Sequence, residues 1–163
     1  MEESKLERIG EEEDTQQGRY LTFPVGEETF AVPISCVNEI IGIYPITRLP
    51  EVPSHVKGII NLRGKIVPVV DLRLKFKKPA AEYDERTCII VMETGGLSAG
   101  LIVDSVSEVL TIAEAEIVPP PEYGANAQNR YISGIGAGDG RVTLILDADK
   151  LLDEEEAVSA PLM

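Results

Sequence analysis

The sequence predicts an all-β protein built from two small, packed five-stranded barrels with a few short helices. Two observations carry that prediction: short apolar runs of valine, isoleucine and leucine set between glycine and proline turns, and an internal repeat. The repeat is clearest at Lys57 to Asp71, where the runs Ile59 to Leu62 and Ile66 to Val70 flank an Arg63-Gly64 pair that can reverse the chain as a β-hairpin. The plan returns as Ser133-Gly134-Ile135, Asp139-Gly140-Arg141 and Val142 to Asp147. Gly58, Gly64 and Asp71 thus align with Gly134, Gly140 and Asp147 at an offset of 76. Upstream, Val37-Asn38-Glu39-Ile40-Ile41 matches Val106-Ser107-Glu108-Val109-Leu110 at an offset of 69. The second copy therefore has a longer internal connection, which holds Pro119-Pro120-Pro121. About five short strands per copy leave exposed edges unless each copy closes, so two barrels are expected over one open sandwich.

Taken in order, structure is expected to begin at Arg19 or Tyr20. Tyr20 to Val25 alternates as a strand, Gly26-Glu27-Glu28 turns, and Thr29 to Val32 returns until Pro33. Ile34, Val37, Ile40 and Ile41 have a helical spacing for one or two turns, too short a run to define a helix firmly. Gly42 to Leu49 reads as a strand or extended arm ended by Pro50 and Pro53. The central hairpin follows, and Pro68 inside its second arm calls for a bulge or an edge position because proline has no N–H for the ladder. Leu72 to Phe76 is a brief helix with Asp71 as N-cap and Lys75, Lys77 and Lys78 near its C-terminal end. Pro79 to Glu85 is a polar linker. In the second copy, Thr87 to Glu93 and Leu97 to Val103 form a hairpin about Gly95-Gly96, and Val106 to Ile112 is a strand or short helix. Ala113 to Asn129 is irregular, Tyr131 to Ala137 and Arg141 to Leu146 form the matching hairpin, and Asp147 to Leu152 closes as a helix. The expected organisation is an acidic tail at 1–18, module one at 19–84, module two at 85–152 and a second acidic tail at 153–163.

At 163 residues and 44% hydrophobic, the chain can bury a real core. No apolar stretch approaches the ~18 residues of a membrane span, and the acidic N-terminus lacks a secretory-signal layout, so a cytoplasmic location is expected. Cys36 and Cys88 stand alone, without CxxC spacing, and His55 is the single histidine. That combination removes zinc motifs and most Ser-His or Cys-His catalysis, and no cofactor or metal is expected. The net charge of −13 opposes nucleic acid and anionic membranes as partners. The two tails carry −9 of that charge.

Asp71 and Asp147 could be read as paired catalytic carboxylates, but as equivalent strand-to-helix positions of a repeat they are explained by capping alone. Asp147-Ala148-Asp149 offers too few oxygens for a metal site, and the glycines at 134, 136 and 138 lie on a strand and turn without a following helix N-terminus. Arg63 is more informative. Its repeat counterpart is Asp139, and Asp-Gly suits a tight hairpin turn better than Arg-Gly, so folding does not ask for arginine there. It is either a solvated tip or a binding residue. Glu39 with Val37 is a second candidate, although Glu108 with Val106 repeats the pattern and would also fit a purely structural role. Binding through surface patches is the functional class left open.

Asn61-Leu62-Arg63-Gly64, Pro68-Val69-Val70-Asp71-Leu72 and the preceding Val37-Asn38-Glu39-Ile40 resemble the CheW family of bacterial chemotaxis coupling proteins, in order and over roughly Arg19 to Leu152. The resemblance implies two SH3-like five-stranded barrels and a non-catalytic scaffold joining the histidine kinase CheA to the cytoplasmic tips of methyl-accepting chemoreceptors. It implies a receptor-binding set of Val37, Glu39, Gly58, Asn61 and Arg63, with Gly100 and Val109 across a groove. The tails match no motif of that family. Because residues 1–18 and 153–163 hold mainly charge, a protein lacking both should keep its thermal melting midpoint to within a few degrees. A large drop in a melting curve would show that a tail docks on the body.

Overall fold

The computed structural model describes residues 18–120, 129–137 and 140–152. Among them lie eleven strands. They are β1 (Arg19–Val25), β2 (Glu28–Pro33), β3 (Val37–Gly42), β4 (Val56–Leu62), β5 (Lys65–Asp71), β6 (Cys88–Thr94), β7 (Leu97–Val103), β8 (Glu108–Thr111), β9 (Ile117–Val118), β10 (Ile132–Gly136) and β11 (Thr143–Leu146). One short helix, α1 (Leu72–Lys75), follows β5, and residues 148–152 form a second, α2. The protein is all-β, in two sheets, as the sequence predicts. None of the described helices is long and apolar enough to cross a membrane.

Each sheet takes strands from both halves of the repeat. One runs β8-β1-β2-β11-β10-β9 and the other β3-β6-β7-β5-β4. The halves have in effect traded hairpins: β1–β2 sits among the late strands, and β6–β7 lies between β3 and β5. Each trade is sealed by a parallel pairing, β2 with β11 and β5 with β7. The five-stranded sheet closes through the arm after β3, where Thr47 and Ile59 exchange N–H···O bonds of 2.8 and 2.9 Å. Gly42 to Leu49 is therefore an extended arm with one bridge.

Alternation explains why β6 and β7 read as unbroken apolar runs. Ile89 and Val91 point into the five-stranded barrel with Ile60, Val67 and Val69, while Ile90 and Met92 point the other way. There they join Phe23, Phe30, Leu72, Phe76, Leu101, Leu146 and Leu151 in a central cluster between the sheets. Strands buried on both faces have no polar side to show. Fully burying each such side chain contributes roughly 1.5–3 kcal/mol, so the largest stabilising block lies between the barrels.

Two local expectations change. The helical spacing from Ile34 to Ile41 is one 3-10 turn, Ile34–Cys36, followed by strand β3. A register break lets Val37 face Met92 while Glu39 faces Val91, so Val37 joins the central cluster and Ile41 the barrel interior. The turn plus a bulge at Asn38 imitates a helical period. Pro68 lies on an interior strand rather than an edge, and the break falls in β4 between Val56 and Gly58. It is tolerated because the β5–β7 ladder starts only at Val69, leaving Pro68 without a partner on that side. In the second copy Val106 to Ile112 contains strand β8, and the 113–129 connection contains a 3-10 turn and the two-residue β9. The proposed turn at 138–139 falls outside the described residues.

Asp71 caps α1 as predicted, its Oδ1 accepting from the Arg73 and Leu74 N–H groups at 2.9 and 3.3 Å. Asp147 repeats the role for α2, accepting from the Lys150 N–H at 3.1 Å. Beside α1 a polar clamp ties the β1–β2 turn to the other sheet. Asp104, just past β7, accepts two bonds from Arg73 at 2.7 Å and one from the Gly26 N–H at 3.0 Å. Lys78 adds an ion pair to Glu28 and lies over the Phe30 ring.

Burial pushes the Asp104 carboxyl up, but the Arg73 and Gly26 hydrogen bonds and the Arg73 and Lys78 charges outweigh it and hold the group below its ordinary value. A depressed folded-state value means this stabilisation is present above the unfolded carboxylate range and is lost as pH falls through the lower folded value. Asp104→Ala should cost about 1–3 kcal/mol in urea unfolding at pH 7. The difference from wild type should shrink as pH falls below the ordinary aspartate range, and a pH-independent difference would show that the pairing is not its source.

Candidate functional site

The central hairpin closes through a two-residue turn in which Arg63 and Gly64 both have positive φ, 53° and 90°. That is the primed geometry matching strand twist, and it favours Asn, Asp or Gly. Arginine in the left-handed region costs roughly 1–2 kcal/mol, so the turn does not select it. Asn61 supports the turn by accepting from the Gly64 N–H through Oδ1 at 2.8 Å.

The Arg63 side chain reaches back to β3, where its Nη2 donates to Glu39 Oε2 at 2.5 Å. The guanidinium side chain stays 69% exposed against 27% for Glu39. The other carboxylate oxygen, Glu39 Oε1, is buried without a hydrogen-bond partner. Lys65, on the far side of the turn, pairs with Glu93 at the end of β6 at 3.3 Å. A basic tip thus lies across two glutamates from adjacent strands. Exposed pairs of this kind stabilise a fold by only about 0–1 kcal/mol, so stability does not account for them.

The structure brings Glu39, Asn61 and Arg63 together, with Val37 on the same strand but facing the central cluster. Gly58 and Gly100 are both buried, and each lies where the backbone or a side chain comes close. Gly58 has φ 144°, and a Cβ there would stand 2.0 Å from the Thr47 carbonyl oxygen, so glycine lets the arm close the barrel. A Cβ at Gly100 would meet Ile89 Cγ2 at 2.7 Å inside the barrel. Val109 is 40% exposed on β8, an edge strand of the other sheet, and stands opposite Leu21. No described contact joins it to the Arg63 tip. Lys65, Glu93 and the 54% exposed Ile66 were missed by sequence reasoning. Lys65 was within reach of the repeat comparison, since its counterpart is the cation Arg141; Glu93 had no such signal.

A polar concavity of about 300 Å³ lies beside the clamp and is lined in part by Asp71, Arg73, Tyr83 and Asp104. These groups serve each other: the Tyr83 O–H donates to Asp71 Oδ2 at 2.7 Å, and burial first, then that bond, push the phenol well up. Burial also raises the Cys36 and Cys88 thiols, which opposes thiolate chemistry. Among the described residues no group of three or more His, Cys, Asp or Glu side chains is arranged to hold a metal ion.

Two interlocked small barrels with a charged hairpin tip define a β-scaffold of the binding type. The sequence model of the CheW-like domain matches residues 19–156. The chain is 39% identical to the chemotaxis protein CheW of Klebsiella aerogenes over 155 residues, 94% of this chain and 89% of that protein. It is 33% identical to the protein FrzA of Myxococcus xanthus over 135 residues, 82% of this chain and 84% of that one. Among solved structures, the scaffolding protein TtCheW from Thermoanaerobacter tengcongensis superposes with a TM-score of 0.74 at 37% identity, covering 79% of this chain and 88% of that one. The chain belongs to the CheW-like family, a family of non-catalytic scaffold proteins in chemotaxis signalling.

The two buried glycines give a direct check. Gly100→Ala should lower unfolding free energy by about 1–3 kcal/mol through overpacking against Ile89. Gly58→Ala should cost at least as much, because backbone rather than side chain must move. Denaturant titration measures both, and a Gly100→Ala protein of wild-type stability that had lost partner binding would return Gly100 to the contact set.

Proposed function

We propose that this chain couples the cytoplasmic tips of methyl-accepting chemoreceptors to the histidine kinase CheA, working in the cytoplasm at membrane-associated receptor arrays. The observation that supports it most is Arg63: an arginine held in a left-handed turn conformation the fold does not favour, with most of its guanidinium open to solvent. The receptor face in this reading consists of Glu39, Asn61 and Arg63, edged by Val37. Gly58 and Gly100 support it from behind by setting backbone approach, and Val109 belongs to the second barrel.

The chemistry of that face is a charge fork with one weak internal partner. Arg63 gives Glu39 one hydrogen bond and keeps further N–H donors for a carboxylate or carbonyl on the receptor. Glu39 keeps Oε1 buried and without a hydrogen bond, so its carboxylate meets the arginine through Oε2 alone. An incoming tip therefore replaces a pair of little value with bonds in a drier place, where charge complementarity sets rate and specificity.

Arg63→Asp puts a residue suited to the turn in place of one that is not, so thermal stability should move by less than about 1 kcal/mol despite the nearby Glu39. Binding of a receptor-tip fragment should weaken by roughly 1–3 kcal/mol. Arg63→Gly, which removes the charge without reversing it, should give a smaller loss. Calorimetric titration with receptor fragment and with CheA, beside a melting curve, decides it. A folded Arg63→Asp protein that binds both at wild-type strength would overturn the assignment.

A further inference from the structure

The repeat gives each residue of the first short helix a counterpart in the second. At the offset of 76, Phe76 aligns with Leu152 and Lys75 with Leu151. Leu151, Leu152 and Phe76 are all buried in the central cluster. Lys75 is buried as well, with 5% of its surface exposed. The same place in the fold thus takes leucine in one copy and an ammonium in the other. Packing does not ask for the charge.

The surroundings of Lys75 make that charge more demanding. Its Nζ lies 4.8 Å from the centroid of the Tyr131 ring, and the Arg130 guanidinium carbon lies 5.5 Å from the same centroid. Two cations converge on one ring. A cation over an aromatic face recovers only part of what it costs to take an ion out of water, and an ammonium has three N–H donors to satisfy. Burial here calls for carboxylate oxygens in addition to the ring.

The chain just past α2 carries such oxygens. Leu152 is buried in the cluster that also holds Phe76 and Tyr131, the neighbours of Lys75, and the next four residues, Asp153 to Glu156, are all acidic. Four residues span at most about 14 Å, so a run that starts from this cluster stays close to it. The CheW-like sequence model also extends to residue 156, four past Leu152. We propose that the first residues of this run turn back over Lys75 and supply its counter-charge, tying α1 of the first module to the end of the second. This pairing does not depend on the receptor reading. It narrows the expectation from sequence that both acidic ends are dispensable: residues 1–18 remain so, and 153–156 belong to the folded body.

Thermal unfolding of the full chain tests it as a cycle: wild type, Lys75→Leu, a variant carrying Asp153→Asn, Glu154→Gln, Glu155→Gln and Glu156→Gln together, and the combination. Neutralising the run in wild type takes the anion from a buried ammonium, so the melting midpoint should fall by roughly 5 °C or more. Lys75→Leu copies Leu151 and should melt at or above wild type. In that background the same four changes should move the midpoint by less than about 2 °C. Lys75→Met serves if leucine packs poorly. Should the neutralised protein fail to fold, recovery of folding with Lys75→Leu supports the pairing and failure to recover overturns it. An unchanged midpoint on neutralising the run, or an equal fall in both backgrounds, overturns it. So does a folded neutralised protein beside lysine variants that do not fold, since Lys75 then serves something else. A fall that vanishes on dilution would set the run against a second copy and overturns the contact within one chain.

Discussion

The exchange of hairpins between the two halves is the constraint on which the rest of the molecule depends. Because β1–β2 completes one sheet and β6–β7 the other, the residues between the sheets cannot be buried by either half alone. Phe30 and Phe76 illustrate this, with ring centroids 5.1 Å apart although one comes from the six-stranded sheet and the other from the chain after α1. Asp104 adds a polar tie across the same boundary by holding the Gly26 turn and Arg73 at once.

The two barrels solve closure in the same way and filling differently. Gly58 admits the Thr47 arm and Gly134 admits β9, each at a place where a Cβ would collide. Inside, however, Ile60, Val67 and Val91 of the first barrel correspond to Gly136, Thr143 and Thr22 of the second. Among the described residues the first interior has seven buried apolar residues in its cluster and the second three. Thr22 is held by exchanging bonds with the Glu108 backbone at 3.0 and 3.3 Å, so part of the second interior rests on hydrogen bonds instead of packing. Such an interior yields more readily to a change at its rim.

Much of the fold was legible because its signals are local. The hairpin at Lys57 to Asp71, the Asp71 cap and the β1–β2 and β6–β7 hairpins follow from apolar periodicity and turn residues within a short window. The hairpin exchange was not legible, because nothing in a single strand says whether its parallel neighbour comes from its own half or the other. Of the proposed site, Arg63 stood out because the repeat supplied an internal comparison in which it departs from its counterpart, whereas Glu39 repeats as Glu108 and Asn61 entered through the family resemblance alone. Gly58 and Gly100 entered on resemblance; the structure adds a steric demand for glycine at both, and a close approach across the fold leaves no mark in the sequence beyond the glycine itself. The 3-10 turn and bulge before Glu39 misled for the converse reason: two irregularities in sequence produced a regular spacing.

The tip ion pairs show how a weak interaction serves a scaffold better than a strong one. A buried pair between Arg63 and Glu39 would resist separation, since breaking it strands a charge in low dielectric. Here the arginine is largely hydrated and the pair adds little to stability, so in the proposed reading a partner carboxylate would compete with Glu39 on nearly even terms. Glu39 nonetheless does something solvent cannot: it holds the guanidinium across the rim, so that a long, mobile side chain starts near the geometry a partner needs. Ordering a rotamer-rich side chain costs about 0.5–1.5 kcal/mol at an interface, and part of that cost is met before the partner arrives. In the proposed receptor reading the glutamate is the positioning residue and the arginine the contact.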